Sequence, residues 1–342
     1  MTIRNAMAGL LALWLLLPAP GHAQAPPAAD AAELAAHRAY TTRLAERLAA
    51  EEAPRGLALA ALLREANAAA TADPAAAAPP RSDPQSRQWR ALAFQRAGAD
   101  TLALSLLALA PEDDAGTGRA ALARWRQLEP ANLVPWLHGD ADAAARAEAA
   151  RRARSADSHL YAQVRALVEA QRRHPPADAE RALLAGGRDG QPGGLDGYAV
   201  LHGTSLLAPW SLPALEPFAE GCAAAARQAP DSVQAEDCRN AAQALQRADT
   251  RALESVGLAL AADLARSAEA RRAAAEARRR FDWQMVELGR LSMGRPDGGV
   301  DAFAALLMAE PAATREAALD ERQLREAGIP LDPPAGWRPP SR

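Results

Sequence analysis

Residues 211–247 read SLPALEPFAEGCAAAARQAPDSVQAEDCRNAAQALQR, and two helices joined by a turn account for this stretch. From Ser211 to Gln228, Leu215, Phe218 and Cys222 recur at three- and four-residue intervals, the spacing that lines one face of a helix. From Asp231 to Arg247 the same holds for Cys238, Ala242 and Leu245, and Asp231 with Gln234 matches a capping box. Pro230 marks the turn between them. In an antiparallel hairpin, residues equidistant from the turn sit at one height, so Cys222 and Cys238 face each other across the helix interface. The predicted disulfide stabilises by about 3 kcal/mol on a loop-entropy model.

The same pattern extends along the chain. Leu34, His37, Thr41, Leu44 and Leu48 line a first helix, and Pro54 starts a second carrying Leu59, Leu62 and Leu63. Further helices are predicted over 85–97, then from Asp100 and from Thr117, with later starts near Ser155, Asp178, Asp196, Ser211, Asp231, Asp249, Ser267 and Thr314. Each begins at a side chain able to satisfy free backbone amides. Gly186, Gly294 and Gly328 are predicted to stop helices through the left-handed conformation that glycine tolerates. Hydrophobic residues make up 49% of the chain but aromatics only 4%, and Ala and Leu dominate, which favours helix over strand.

The first segment reads as an address. Arg4 supplies a positive charge, Ala6 to Leu17 an apolar run, and Gly21-His22-Ala23 the small residues of a signal-peptidase site, with cleavage between Ala23 and Gln24. The run is shorter than the ~20 residues a spanning helix needs, so no stable membrane insertion is expected after cleavage. The expected destination is the periplasm, whose oxidising conditions favour pairing of the two cysteines. Downstream, the organisation reads as a leader and N-terminal hairpin over 24–72, a Pro/Ala linker over 73–84, a helical array over 85–328 and a Pro-rich tail over 329–342.

Composition excludes several chemistries. All 39 basic residues are Arg, and without Lys there is no Walker A loop, no pyridoxal Schiff base and no Ser/Lys dyad. The net charge of −3 gives no basic field for nucleic acid, and the Arg151, Arg152, Arg154 and Arg278, Arg279, Arg280 clusters read as solvated helix faces.

The turn Leu128-Glu129-Pro130-Ala131-Asn132-Leu133-Val134-Pro135-Trp136 resembles the junction between tetratricopeptide repeats, where Leu, an acid, Pro and Asn close one hairpin and Trp opens the next. Leu122 stands where such repeats carry an aromatic, and Gly139 and Asp140 replace the usual Leu-Gly pair, so the repeats are degenerate. The wider layout, including the closing Gly328–Trp337 segment, is similar to exported proteins of Xanthomonas-like bacteria, a likeness that implies no particular activity. The resemblance implies an all-α array of antiparallel helical hairpins stacked as a tetratricopeptide-like right-handed solenoid, whose concave surface binds a peptide or protein.

Catalytic motifs are sparse. No HExxH occurs; His37 reads as half-buried on an apolar stripe, and His138, His159, His174 and His202 as surface or helix-end residues. His202-Gly203-Thr204-Ser205 lacks the second Gly of a nucleophile elbow. The Gly186–Gly197 run with Asp189 and Asp196 reads as a connector, and Asp140 with Asp142 lacks the central Gly of an EF-hand loop. Trp89, Trp125, Trp136, Trp210 and Trp283 are expected to fill gaps between helices. No cofactor or metal is implied. The expectation is a periplasmic interaction or scaffold module and not an enzyme; the alternatives are a cell-envelope hydrolase using carboxylates in a groove, which sequence cannot sort, and a structural or ligand-storage protein.

Overall fold

The computed structural model describes residues 28–70, 83–109, 115–139, 141–184, 194–295, 299–310 and 315–340. The expected signal segment with its Ala23–Gln24 cleavage point, most of the 73–84 linker, Gly186, Asp189, Asp140 and Thr314 lie outside the described residues. Among the described residues there are sixteen helices and no strand; one isolated bridge pairs Asn132 with Ser155. The helices are α1 (Ala28–Ala50), α2 (Pro54–Ala69), α3 (Pro84–Ala97), α4 (Thr101–Leu107), α5 (Ala115–Leu128), α6 (Val134–Leu137), α7 (Ala143–Arg152) and α8 (Leu160–Arg173). They continue as α9 (Asp178–Leu184), α10 (Leu195–Ser211), α11 (Glu216–Gln228), α12 (Val233–Leu245), α13 (Arg251–Asp263), α14 (Ala268–Met293), α15 (Val300–Ala309) and α16 (Glu316–Glu326).

Caps explain many of these starts. Asp83 accepts from the amides of Gln85 and Ser86 ahead of Pro84, Asp100 from Ala103, and Ser267 from Ala270. Asp142 caps α7 through the Ala145 amide, which is the use the chain makes of that acid. Elsewhere the neighbouring hydroxyl wins: Ser232, not Asp231, caps α12, and Thr250, not Asp249, caps α13. The stretch from Ser211 is not one helix. α10 ends at Ser211, Leu212 is extended ahead of Pro213, and α11 starts at Glu216, because the residue before a proline is driven from helical geometry. The start expected near Ser155 falls at Leu160, since residues 154–157 hydrogen-bond to the Ala131–Leu133 turn instead. Gly328 ends α16 with φ +72°, but Gly294 closes α14 in ordinary right-handed geometry.

One contiguous apolar cluster runs from Tyr40 to Leu319. Its densest part is α2, where Gly56 to Leu63 are all buried, the mark of a helix covered on every side. Each Leu there contributes roughly 1.5–3 kcal/mol by leaving water. α2 packs on α1, α3 and α4. Buried Arg90 of α3 clamps Glu65 of α2 with a bidentate pair. Consecutive pairing recurs in α4 with α5, and in α11, α12 and α13. Other contacts join distant stretches: α1 lies on α9, α8 on α10, α10 on α15, and α7 on α12. Asp301 of α15 accepts from the Gly194 amide at 2.9 and 3.1 Å, capping α10 from outside.

Two junctions are tight. Cys222 and Cys238 lie at disulfide distance, with Cα atoms 5.5 Å apart, both buried between α11 and α12. A Cβ at Gly257 of α13 would fall 2.5 Å from the Gln246 amide and 2.7 Å from the Leu245 carbonyl carbon, so α13 seats against the end of α12 only because that side chain is hydrogen.

Candidate peptide-binding surface

The site grows outward from Arg251, the first residue of α13, which is buried. A buried guanidinium needs acceptors for its fixed fork of donors. Nε donates to Asp320 at 2.9 Å, Nη1 to Glu254 at 2.9 Å and Nη2 to Gln284 Oε1 at 2.9 Å. The Arg251 amide donates to Glu316 at 2.7 Å, and Glu316 also pairs with the Tyr161 hydroxyl. Two carboxylates thus hold the guanidinium and a third, Glu316, holds the amide of the same residue. Burial, then the neighbouring Asp320, pushes Glu316 up to about 7. Burial also raises Asp320, against the pull of Arg251.

Gln284 passes this order to the surface. Because its Oε1 is taken by Arg251, its Nε2 must point the other way, and it donates to the Leu331 carbonyl at 3.2 Å. Trp283 Nε1 donates to the Pro330 carbonyl at 2.8 Å. One turn earlier, Arg279 donates from Nε to the Trp337 carbonyl at 3.1 Å and from Nη2 to the Pro334 carbonyl at 2.6 Å. Positions 279 and 283 share a helix face, so the donors form a row along α14. Arg280 lies 3.4 Å from Asp332, and the Trp283 and Trp337 rings meet edge to face at 5.4 Å.

The tail reaches this row through a sharp reversal. The Ile329 amide donates to the Leu324 carbonyl and the Gly328 amide to that of Arg325, closing α16 with Gly328 left-handed. At the far end Gly336 has φ +77° and the Trp337 amide returns to the Pro334 carbonyl at 3.1 Å, which brings the indole back onto Trp283. Prolines have no amide hydrogen, so a segment with Pro330, Pro333 and Pro334 offers mainly carbonyls, and α14 answers with side-chain donors.

Other polar clusters are internally paired. Between α8 and α10 a cleft of roughly 220 Å³ is lined by Val168, Gln171, Arg172, Pro176, Asp196 and Ala199, among others, and its one acid, Asp196, is held by Arg172 at 2.6 and 2.9 Å. Behind it Gln171 contacts His202 at 3.2 Å, and His37 Nδ1 lies 2.7 Å from the Tyr198 hydroxyl. Burial, then His37, lowers His202 to about 3, and burial, then Arg38, lowers His37. Around Trp125, Glu129 accepts from Trp125 and Asn132 at 2.8 Å and contacts His159 at 3.1 Å. Burial alone would raise Glu129, but these donors, His159 foremost, hold it at about 2. Ser158 donates to Asp249 at 2.6 Å, and burial with the nearby Asp157 pushes Asp249 up to about 7.

Placement corrects several sequence readings. His138, His159 and His174 do sit at helix ends, His174 beside Glu51 at 2.6 Å, whereas His202 lies within α10, half-buried and in contact with Gln171; burial lowers His138 to about 4. Ser205 lies inside α10, far from elbow geometry. Trp125 and Trp283 are buried and Trp89 and Trp136 half-buried, but Trp210 is 56% exposed. Arg279, in a cluster expected to be a solvated face, and Trp283, which is buried as a gap-filling ring would be, are in addition donors to the tail. Among the described residues no group of three His, Cys, Asp or Glu could hold a metal ion, and no helix is long and apolar enough to cross a membrane.

No known family, curated protein or solved structure matches this chain.

Proposed function

We propose that the protein is a periplasmic interaction module that takes a non-helical peptide segment of a protein partner on its helical surface. One observation carries the reading: Arg279, Trp283 and Gln284 already grip a non-helical segment, bent at 331–332 and turned at 335–336, through its backbone carbonyls. Such contacts read backbone shape and tolerate many side chains, which suits recognition. The hydrolase alternative needs acids converging on an open groove, whereas Glu316 and Asp320 face Arg251 inside the fold and Asp196 is held by Arg172. Export rests on the Arg4–Ala23 segment, and the buried cysteine pair suits an oxidising compartment. A tetratricopeptide-like solenoid belongs to the same proposal. The consecutive packing of α11, α12 and α13 supports it, while α1 on α9 and α7 on α12 weigh against units that touch only their neighbours.

The test places a photo-crosslinking residue at position 280 on α14, or at exposed position 119 on α5 as control, in the exported full chain. Position 280 is expected to capture one protein at near-equal amounts and position 119 none. Equal labelling at both positions, or no adduct at 280, refutes the assignment.

A further inference from the structure

We infer that the donor row of α14 is a docking groove for a proline-rich segment of another protein, and that the chain's own residues 329–340 occupy it in cis as an exchangeable competitor. The inference rests on the proposed binding role and names the surface and the chemistry of its ligand.

Receptor and occupant differ in how firmly they are held. On the α14 side Gln284 is buried and fixed by Arg251 from behind, so that donor keeps its orientation whether or not the tail is present, and Trp283 and Arg279 stand beside it on the same rigid helix. Such a pre-set surface binds without first having to be ordered. On the tail side none of residues 329–340 is buried; Ile329, Leu331, Pro333 and Trp337 are half-exposed and the rest exposed. The tail is held by four side-chain hydrogen bonds to its carbonyls, one ring contact and the Asp332 approach to Arg280. Nothing in that set is particular to a covalently attached segment.

The contacts also define what fits. Carbonyls must face the helix at the places taken by Pro330, Leu331, Pro334 and Trp337, prolines keep the segment out of a helix, a glycine turns it at position 336, an acid meets Arg280, and an aromatic ring closes on Trp283. A partner segment with the order Pro-Leu-Asp-Pro-Pro, a small residue, a glycine and an aromatic satisfies all of these. The attached tail competes at an effective concentration on the order of millimolar, so an external segment binds the intact chain more weakly than the vacated groove.

The experiment uses the full chain and a fluorescein-labelled peptide of residues 329–340, followed by anisotropy. Trp337→Ala loosens the resident tail without touching the groove, and the peptide is expected to bind this variant at least about tenfold more tightly than the wild type. Adding Arg279→Ala to that variant is expected to abolish binding while circular dichroism stays unchanged, and a scrambled peptide is expected not to bind. Absence of binding to the Trp337→Ala chain at millimolar peptide, or equal binding of the scrambled peptide, overturns the inference. So does a Trp337→Ala chain that dimerises by tail exchange and takes up no free peptide. If the position-280 crosslink persists in the Arg279→Ala chain, the binding role stands and only the proline-rich groove falls.

Discussion

Removing the sulfur bridge is expected to free one helix more than it weakens the whole. α11 rests on α12 and α13 with a face built largely of small groups, Ala219, Cys222, Ala223 and Ala225. At about 0.8 kcal/mol per buried methyl-sized group, those three alanines contribute roughly 2–3 kcal/mol. Closing the 16-residue separation between Cys222 and Cys238 contributes about 3 kcal/mol by the loop-entropy relation, as much as the alanine face itself. A Cys222→Ser, Cys238→Ser chain should therefore lose about 3 kcal/mol in urea unfolding, and hydrogen exchange should show most of the lost protection within 216–228. If α11 partly detaches before the main transition, the slope of the transition falls as well. Protection in 216–228 unchanged by the double substitution, or a stability loss well under 1 kcal/mol, would refute the reasoning.

Other perturbations follow from the buried network and the caps. Glu316 holds its proton in the folded chain up to about pH 7, while its ordinary value is 4.5, so the folded state carries more protons between those values and stability falls as pH rises through that window. The drop is up to about 3 kcal/mol, and Glu316→Gln should flatten the urea-midpoint profile between pH 4.5 and 7. Arg251→Ala leaves Asp320 and Gln284 without their buried partner and should cost about 3–5 kcal/mol, with faster exchange at 329–337 as Gln284 loses its orientation. Asp83→Ala removes the cap on two amides of α3 and the Arg64 pair, and a thermal melt should show a loss of about 1 kcal/mol.

How much was legible before the structure depended on how local the determining contact is. Periodicity and caps are local, so α4 from Asp100 and α14 from Ser267 could be read directly, and the spacing of the cysteines about Pro230 placed the sulfurs opposite each other. Where two capping side chains stand adjacent, sequence could not choose, and the structure takes Ser232 and Thr250 over the acids before them. Asp249 is instead drawn inward to Ser158, a partner 91 residues away in sequence. The same distance problem hid the donor row. Arg279 and Trp283 meet carbonyls 47 to 58 residues downstream, and nothing in the local ARRRFDW pattern separates a solvated arginine from one that faces a folded-back tail. A usable signal lay in the tail itself, where prolines leave carbonyls without matching amides and so call for donors from elsewhere.

The missing side chain at Gly257 sets how closely α13, and α14 resting on it, can stand to α12. α13 carries Arg251 at its start and supports α14 along its flank, so the spacing fixed where α13 presses on the end of α12 is inherited by Gln284, Trp283 and Arg279 in turn. A methyl group wedged into that seam would act like a shim under a hinge plate: small at the pivot and larger at the far edge, where the indole and guanidinium would lose alignment with the tail they hold.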